Sequence, residues 1–444
     1  MDKNAKISLP AKVARILNTL GGHGYEAYAV GGCVRDSLLG RTPQDWDITT
    51  SARPEQVKAL FRHTIDTGIQ HGTVTVMLDH EGFEVTTYRI DGEYEDARHP
   101  KEVAFTANLL EDLKRRDFTI NAMAYNEVTG LVDAFDGIGD LERGVIRCVG
   151  NAMERFSEDA LRMLRAVRFA AQLGFSIERE TQEAIAGLAG NIKKVSAERI
   201  QVELVKLLTS PNPGELKVAY HTGLTAVFLP EFDMMMETPQ NNPHHCCSVG
   251  EHTLKAIEAV PADKVLRLTM LLHDIAKPAC KTTDKKGVDH FYGHPVRGSE
   301  MARGILRRLK FDNDTTDRVC RLVHWHDDNP ELSGKTVRRA MHRIGVEQYP
   351  ALFAVKRADI LAQSGYRRAY EQMYRECMEK KECLTIRELA VSGQDLIAAG
   401  MQPGKQIGEM LNELLERVLE DPGLNTKEQL LKIVTGKISD QNRS

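Results

Sequence analysis

The stretch Tyr28-Ala29-Val30-Gly31-Gly32-Cys33-Val34-Arg35-Asp36, followed nine residues later by Asp45-Trp46-Asp47, decides how this chain is interpreted. A short apolar run that ends in two glycines and leads into a helical segment is typical of a phosphate cradle. Glycine lets the backbone approach an anion, and a helix N-terminus offers unpaired N–H groups. Asp45 and Asp47 lie two residues apart, which on a strand places both carboxylates on one face. Together the motifs predict a site for a magnesium-bound nucleoside triphosphate.

Length and composition describe an ordinary globular chain. The 444 residues are enough for roughly three domains. A net charge of −4 gives no overall nucleic-acid signal, so any surface that binds nucleic acid is local. The eight cysteines lack a C-x-x-C framework, which favours reduced thiols and a cytoplasmic protein. No apolar stretch predicts a secretory signal or a membrane span.

The region after the two aspartates predicts a pair of strands. Residues 71–78 and 83–89 are rich in β-branched side chains, and Asp79–Gly82 between them predicts a four-residue hairpin loop. Glu84 on the second strand is either a third carboxylate beside the two aspartates or a solvated strand glutamate. The spacing alone does not separate these interpretations.

A polar loop and a basic cluster follow. Residues 91–100 have no hydrophobic period and predict a mobile loop next to the site. In the cluster Lys114-Arg115-Arg116-Asp117, Arg116 is a candidate to bind a triphosphate bidentately, because a guanidinium has paired donors. Asp117 or Asn121 can accept a hydrogen bond from a ribose hydroxyl. The alternative is a solvated basic surface.

From residue 153 to residue 208 the pattern becomes helical. Ser157 is the predicted N-cap of a helix that ends at Gly174. The arginines that this helix carries are Arg162, Arg165 and Arg168.

Two interpretations of Asp159 and Arg162 stay open. In the first, Glu158 and Asp159 complement the helix dipole, and Asp159 pairs with Arg162 at i,i+3. In the second, the carboxylate and the guanidinium read a base, because cytosine and adenine both present an amino donor beside a ring-nitrogen acceptor. Only geometry separates the two.

The second half of the chain carries another group of polar side chains. His252, the pair His273-Asp274, and Asp359 are distributed over three helical stretches. Histidine and aspartate are ligands of the kind that a divalent-ion hydrolase uses. Further histidines lie in the same region, at positions 294, 324 and 326. A lone histidine would more often be a satisfied core group, but an adjacent His-Asp in an apolar helix favours a metal site.

Taken in order, the motifs resemble those of the bacterial-type CCA-adding tRNA nucleotidyltransferase and poly(A) polymerase family. The resemblance covers nearly the whole chain, and the motifs that carry it are Gly31-Gly32, Arg35-Asp36, Asp45-x-Asp47, Arg115-Arg116-Asp117 and Glu158-Asp159-x-x-Arg162. The histidines and aspartates of the second half resemble an inserted HD phosphohydrolase domain. The tail resembles the helical tail with which the family grips tRNA.

The resemblance implies an α+β fold with four parts. A small mixed-sheet nucleotidyltransferase head is expected over residues 1–150, and a helical neck that reads the base over 151–212. A helical body with the HD domain is expected over 213–385, and a helical tail that binds tRNA over 386–444.

The resemblance also implies addition of C, C and A to the 3′ end of tRNA from CTP and ATP. Asp45 and Asp47 would hold two Mg²⁺ ions, with Glu84 at the position of a third carboxylate. A second divalent metal would bind His252, His273, Asp274 and Asp359. Neither a membrane nor a protein partner is implied. The expected nucleotide-binding residues are Gly32, Arg35, Arg116, Asp117, Asn121, Asp159, Arg162, Arg165 and Arg168.

Three alternatives remain at this point. The nearest is an enzyme that adds only A, either to tRNA ending in CC or as a poly(A) polymerase. The mixed charge of the tail favours CCA addition over poly(A) synthesis, and loop 91–100 resembles the flexible element that CC-only members lack. A hydrolase whose head merely positions RNA is a rival of a different class. A non-enzymatic tRNA-binding scaffold would need neither set of carboxylates.

Overall fold

The computed structural model describes residues 6–91, 103–241, 247–328, 333–363 and 375–441. The chain forms two compact units. The first unit comprises Met1–Met234 with Arg308–Phe311, and the second comprises Met235–Arg307 with Asp312–Ser444. The predicted loop 91–100 lies outside the described residues, apart from Asp91 at its start.

The first unit is built on a mixed sheet. Its strands are β1 (Ala27–Val30), β2 (Asp47–Thr50), β3 (Thr64–Gly68), β4 (Thr73–Leu78), β5 (Glu81–Thr87), β6 (Arg89–Asp91), β7 (Val103–Phe105), β8 (Met123–Asn126), β9 (Gly130–Asp133), β10 (Val145–Ile146) and β11 (Ser176–Ile177). Seven of them form one sheet in the order β3-β4-β5-β2-β1-β8-β9. β2 and β5 run parallel, and the other neighbours in this sheet run antiparallel.

Helices cover the sheet and continue beyond it. They are α1 (Ala11–Gly22), α2 (Gly32–Leu38), α3 (Pro54–Leu60), α4 (Leu109–Lys114), α5 (Gly137–Arg143), α6 (Ala152–Glu158), α7 (Leu161–Leu173), α8 (Arg179–Leu188), α9 (Ala197–Leu208), α10 (Leu216–His221), α11 (Thr225–Phe228) and α12 (Pro230–Met236). Short 3₁₀ turns occupy Ile69–His71, Thr119–Asn121, Ala189–Lys194 and Pro213–Glu215. The first unit therefore begins with a mixed-sheet head and continues as a helical region, as expected.

Alternation along the strands gives the sheet two buried faces. Ile48 and Val85 belong to a core formed with α1 and α3. Val30 belongs to a separate core with Leu109 and Leu113 of α4. Since successive strand residues point to opposite faces, the residues next to Ile48 and Val85 face the α4 side.

The hairpin between β4 and β5 is tighter than the sequence predicts. Only Asp79 and His80 form the turn, and both have positive φ, at 49° and 66°. Glu81 and Gly82 already pair with β4. The expected four-residue loop is therefore wrong, because a two-residue turn with both φ angles positive matches the twist of the flanking strands.

The second unit is helical apart from the short hairpin β12 (Thr282–Thr283) and β13 (Asp289–His290). Its helices are α13 (Val249–Ala259), α14 (Lys264–Leu272), α15 (Lys277–Cys280), α16 (His294–Arg308), α17 (Asn313–Trp325), α18 (Gly334–Ile344), α19 (Tyr349–Gln363), α20 (Gly393–Ala398), α21 (Lys405–Glu420) and α22 (Lys427–Gln441). Residues 375–379 are also helical, and 3₁₀ turns lie at Ile386–Glu388 and Pro422–Leu424. No helix in the described ranges combines the length and the apolar character needed to cross a membrane.

Candidate functional site

The two glycines after β1 form the expected strand–turn–helix junction. Gly31 has φ +82°, a backbone conformation that favours glycine, and Gly32 begins α2. A Cβ added to Gly31 would lie 3.2 Å from Nη1 of Arg116. The junction therefore lets the guanidinium of Arg116 approach the backbone at the end of β1.

The carboxylates predicted to bind magnesium lie on two neighbouring parallel strands. Ile48 of β2 pairs with Val85 of β5, so Asp47 and Glu84 lie side by side on the face toward α4. Asp45 precedes β2, whose pairing with β1 begins at Asp47. The expectation that both aspartates lie on one strand is therefore corrected, and Asp45 belongs to the loop that enters it.

The carboxyl groups of Asp45, Asp47 and Glu84 interact through their charges. Burial and the charge of Asp45 raise the pKa of Asp47, although Arg116 opposes this shift. Burial, Asp47 and Asp45 raise the pKa of Glu84. Bringing partly buried carboxylates together costs free energy that a bound divalent cation would offset. The residues present therefore fit a site for a divalent metal ion.

Asp112, which sequence reasoning missed, orients the basic cluster. Its buried carboxylate accepts hydrogen bonds from Nε and Nη2 of Arg115 at 2.9 and 2.8 Å, from Nη2 of Arg116 at 3.3 Å, and from Oγ1 of Thr49 at 3.1 Å. Burial alone would raise the pKa of Asp112, but Arg116 and Arg115 lower it overall. The sequence did carry a signal for this role, because Asp112 lies three and four residues before Arg115 and Arg116, which is one helical turn. Nε of Arg116 is buried without a hydrogen-bond partner in this structure, which fits a residue that binds an anionic ligand.

Four predicted nucleotide-binding residues form one chain of hydrogen bonds. Nη1 of Arg35 donates to Oδ1 of Asn121 at 2.7 Å, and Nδ2 of Asn121 donates to Oδ1 of Asp117 at 3.2 Å. Nε and Nη2 of Arg165 donate to Oδ2 of Asp117 at 2.9 and 2.6 Å. Burial would raise the pKa of Asp117, but Arg165 lowers it to about 2. The structure thus brings these residues together and fixes their orientation through one another.

Arg168 lies deeper than the other arginines of α7. Its Nε donates to Oε2 of Glu203 at 2.7 Å, and its Nη1 donates to Oε1 of Gln172 at 2.8 Å. Only 8% of the Arg168 side chain is exposed. These contacts describe a residue that holds α7 against α9.

The predicted start of the arginine-bearing helix is wrong. Ser157 lies inside α6, where its hydroxyl donates to the carbonyl of Met153, and α7 begins at Leu161. Asn151 caps α6 instead, through a hydrogen bond from the Glu154 amide. Because α6 already ends at Glu158, Asp159 lies in the break between two helices rather than in a first turn.

Asp159 in the break and Arg162 in the first turn of α7 are each bonded to other residues. Nη2 of Arg199 donates to Oδ2 of Asp159 at 2.7 Å, and Nη1 of Arg162 donates to Oε2 of Glu158 at 2.6 Å. Nη2 of Arg162 also donates to the carbonyl of Arg115 at 3.0 Å. Arg199, on α9, was missed because a residue 40 positions away in sequence gives no local signal. Arg199 thus orients the carboxylate of Asp159, and Glu158 and the Arg115 carbonyl orient the guanidinium of Arg162.

In the second unit, the predicted metal ligands come together from three elements. His252 is on α13, Asp359 is on α19, and His273 and Asp274 follow α14. Nε2 of His252 lies 2.9 Å from Oδ1 of Asp359, and Nε2 of His273 lies 3.2 Å from Oδ2 of Asp274. Ligand atoms of His252, His273 and Asp274 all lie within 4.8 Å of one another.

A second possible metal-binding group shares Asp274 with the first. Nε2 of His294 and Nε2 of His326 lie 3.4 and 3.7 Å from Oδ1 of Asp274. The opposite ring nitrogens, Nδ1, lie 2.8 Å from the carbonyl of Phe291 and 2.7 Å from that of Val323. Such backbone contacts orient histidine rings toward a metal. His294 and His326 were noted in the sequence but not assigned as ligands.

The chemistry of Asp274 fits a bridging ligand. Both of its carboxylate oxygens are buried and accept no hydrogen bond of good geometry, although Nζ of Lys277 lies 2.7 Å from Oδ2. One oxygen faces each histidine pair. We use the name histidine cluster for His252, His273, Asp274, His294, His326 and Asp359.

Three family models match successive parts of the chain. They are described as "Poly A polymerase head domain" over residues 27–147, "Probable RNA and SrmB- binding site of polymerase A" over 174–236, and "tRNA nucleotidyltransferase domain 2" over 296–434. The CCA-adding enzyme of Leuconostoc mesenteroides is 36% identical over 96% of this chain and 96% of that protein. The CCA-adding enzyme of Levilactobacillus brevis is 36% identical over 95% of this chain and 96% of that protein.

The chain belongs to the CCA-adding enzyme family. The crystal structure of the Bacillus stearothermophilus CCA-adding enzyme in complex with CTP is 32% identical, with a TM-score of 0.75 over 97% of this chain and 98% of that one. Membership of the family confirms the expected α+β fold with a mixed-sheet head, and it implies use of a divalent metal ion. Metal binding and hydrolysis at the histidine cluster stay predictions, and so do the roles of individual residues.

Arg168→Ala is expected to lower the free energy of unfolding by roughly 3–5 kcal/mol, because it leaves the buried carboxylate of Glu203 without its main partner. The KM for CTP is expected to change by less than about twofold, since the contacts of Arg168 lie within the protein. Urea unfolding and steady-state kinetics measure the two quantities.

The matched control for this variant is Arg179→Ala, whose exposed ion pair with Glu183 on α8 contributes little. A large rise in KM with unchanged unfolding would instead assign Arg168 to nucleotide binding, as the family resemblance implied.

Proposed function

We propose that this protein adds C, C and A to the 3′ end of tRNA, taking the nucleotides from CTP and ATP. The observation that carries the proposal is the similarity to a CCA-adding enzyme over 96% of both chains. The arrangement of Asp45, Asp47, Glu84 and Arg116 supports it, because it supplies carboxylates for metal ions beside a cation for phosphate. A tRNA substrate is also the reason to propose a cytoplasmic location.

In the proposed reaction the 3′-hydroxyl oxygen of tRNA loses its proton to water and bonds to the α-phosphorus of the nucleotide, while the bond from that phosphorus to the oxygen of the leaving pyrophosphate breaks. Asp45 and Asp47 would hold Mg²⁺, with Glu84 as the third carboxylate. When bound, Mg²⁺ supplies a Lewis acid for the attacking hydroxyl and for the triphosphate. Arg116 would bind the triphosphate, and Asp112 keeps its guanidinium in place. The backbone at Gly32 would lie close to the phosphates.

Base selection is proposed to depend on Asp159 and Arg162. A carboxylate and a guanidinium side by side complement the amino group and ring nitrogen of C and A, and mismatch U and G. Arg199 fixes Asp159, and Glu158 fixes Arg162, so both side chains have little freedom to adapt to a wrong base. Arg35, Asp117, Asn121 and Arg165 would support the nucleotide from the adjoining hydrogen-bonded chain.

Arg162→Ala is expected to relax the choice of base. UTP and GTP should then be incorporated at rates within about tenfold of CTP and ATP, since loss of a directional hydrogen bond is worth roughly that factor. Single-turnover incorporation of each nucleotide into tRNA, measured separately, gives the ratios.

Thermal unfolding serves as the check that the head is still folded, and Arg179→Ala is again the control. Selection of only CTP and ATP at normal rates by Arg162→Ala would contradict the proposed templating role.

The proposed activity is tested with a tRNA transcript that ends at the discriminator base. The protein is incubated with Mg²⁺ and CTP, ATP or both, and product lengths are read on a sequencing gel. Two additions with CTP and a third only when ATP is present support CCA addition. Failure with CTP, but addition of A to a transcript ending in CC, would support an A-adding enzyme. A long A ladder on any RNA would support a poly(A) polymerase.

A second proposed activity is hydrolysis of a phosphate ester at the histidine cluster. The six side chains come from five helical regions that are far apart in sequence, which argues against chance clustering of histidines. A divalent metal bound there would supply a nucleophilic water and polarise a phosphoryl oxygen. His252, His273, Asp274 and Asp359 would be its ligands, and His294 and His326 would hold a second ion through the shared Asp274.

The four-part division is also part of the proposal. We propose a head over residues 1–150, a base-reading neck over 151–212, a body with the HD domain over 213–385 and a tRNA-binding tail over 386–444. The head domain model over residues 27–147 supports the first of these.

A further inference from the structure

Arg155 of α6 contacts the residue that orients Arg162, the guanidinium proposed to read the base. Nη2 of Arg155 donates to Oε1 of Glu158. The other oxygen of the same carboxylate, Oε2, accepts from Nη1 of Arg162 at 2.6 Å. One carboxylate therefore connects the guanidinium of Arg155 on α6 with that of Arg162 on α7, across the break between the two helices.

The backbone of Arg155 makes a second contact with Arg162. Its carbonyl accepts from Nη1 of Arg162 at 3.0 Å, so this nitrogen donates both to the carbonyl and to Glu158. The side chains of Arg155 and Glu158 are 16% and 22% exposed, and that of Arg162 is 11% exposed. Ion pairs that are shielded from water in this way are stronger than pairs on an open surface. Arg155 therefore helps to determine where the Arg162 guanidinium lies.

Both arginines also contact the C-terminal end of α4. Nη1 of Arg155 donates to the carbonyl of Lys114 at 3.4 Å, and Nη2 of Arg162 donates to the carbonyl of Arg115 at 3.0 Å. The last carbonyls of a helix have no partners within it, so these bonds replace no others in α4. Arg116, proposed to bind the triphosphate, is the next residue in the chain. The guanidinium for the base and the guanidinium for the triphosphate thus both lie against the end of α4.

We propose that Arg155 is a positioning residue for the selection of C and A. Its guanidinium fixes the carboxylate of Glu158, and that carboxylate fixes the guanidinium of Arg162 at the edge of the base. The inference rests on the proposed role of Asp159 and Arg162 in base selection. Without Arg155, Glu158 would lose one of its two partners, and the Arg162 guanidinium would gain the freedom to donate to the carbonyl groups of U and G.

The test compares Arg155→Met, Arg155→Lys and Glu158→Gln in the full-length protein. Methionine keeps much of the aliphatic length of arginine but has no donor, whereas lysine keeps a cation that can bond to Glu158. Glutamine keeps the shape of Glu158 and removes its charge. Arg179→Met, which breaks an exposed ion pair with Glu183 on α8, is the matched control. Single-turnover incorporation of CTP, ATP, UTP and GTP into tRNA is measured for each protein, together with thermal unfolding.

Arg155→Met is expected to raise incorporation of UTP and GTP relative to CTP and ATP by roughly fivefold or more. The selectivity of Arg155→Lys and of Arg179→Met should stay within about twofold of that of the unaltered protein. The double variant Arg155→Met/Glu158→Gln should be about as unselective as Glu158→Gln alone, because both changes act on the same bond to Arg162.

Unchanged selectivity in Arg155→Met would overturn the inference, and so would an equal loss in Arg155→Lys or independent effects of the two changes in the double variant. Equal loss of incorporation for all four nucleotides, with a lowered midpoint of unfolding, would assign Arg155 a structural role only. A failure of the proposed function is recognised separately. If the unaltered protein incorporated no nucleotide, or if Arg162→Ala still selected only CTP and ATP, the proposed activity or the proposed base selection would be wrong, and this inference with it.

Discussion

Asp47→Asn is expected to abolish incorporation of both C and A, lowering kcat by at least about a thousandfold. Asp47 is the carboxylate at the centre of the head site, next to Glu84 on the parallel strand and coupled to Asp45. Asparagine keeps the shape of the side chain but not the charge that a divalent ion needs. The affinity for tRNA should stay within about twofold, because one carboxylate among many contacts contributes little to a polyanion complex.

The matched control is Asp79→Asn. Asp79 lies in the β4–β5 turn with φ +49°, a conformation that asparagine accepts. Incorporation is measured by single-turnover assays with CTP and with ATP, and tRNA binding by filter retention. Retention of more than about a tenth of the activity by Asp47→Asn would contradict its role as a metal ligand. If Asp47→Asn lost both incorporation and tRNA binding, misfolding would be the explanation. A lowered midpoint of thermal unfolding would identify that case.

Asp274→Asn is expected to remove both metal ions from the histidine cluster. Asp274 contributes an oxygen to each of the two possible metal-binding groups, so its loss affects both. Metal content, measured by mass spectrometry after Mn²⁺ loading and desalting, should be lower by about two ions per chain than in the unaltered protein, while the ions at the head carboxylates stay. Hydrolysis of p-nitrophenyl phosphate should fall by at least about a hundredfold. CCA addition should not change, because the head has its own carboxylates.

A second variant separates loss of metal from loss of fold. His294→Ala affects only the group formed with His326, and should lose one ion while the ion at His252 and His273 is retained. Asp317→Asn, in an exposed ion pair with Arg303, is the control. Full metal content in Asp274→Asn would contradict the bridging role. Metal uptake by the unaltered protein without any hydrolysis would contradict the phosphohydrolase activity and leave a structural metal site.

Local patterns predicted the parts of this structure that depend on local geometry. The strand before Gly31 and the helix after it follow from glycine conformation. The two-residue period left the role of Glu84 open, because its place beside Asp47 depends on the parallel pairing of β2 with β5. The tight β4–β5 turn was missed because two positive φ angles at Asp79 and His80 are uncommon for residues other than glycine.

The rest could not be predicted because it depends on contacts between distant residues. Asp112 becomes the anchor of the basic cluster only when α4 packs on the sheet and brings it to Thr49. Arg199 holds Asp159 from another helix. The grouping of His294 and His326 around Asp274 likewise needs three helices in place. Sequence spacing gives the types of residue that are available, but not which of them meet.

The hydrogen bonds of Asp112 have a mechanical consequence. One buried carboxylate ties β2, which carries Asp47, to the arginine that faces Gly31. The strand that carries Asp47 and the guanidinium of Arg116 are therefore held together by the protein's own hydrogen bonds, without a bound nucleotide. In the proposed CCA addition, a change from C to A would then be made by side chains that meet the base, while Asp47 and Arg116 keep their positions.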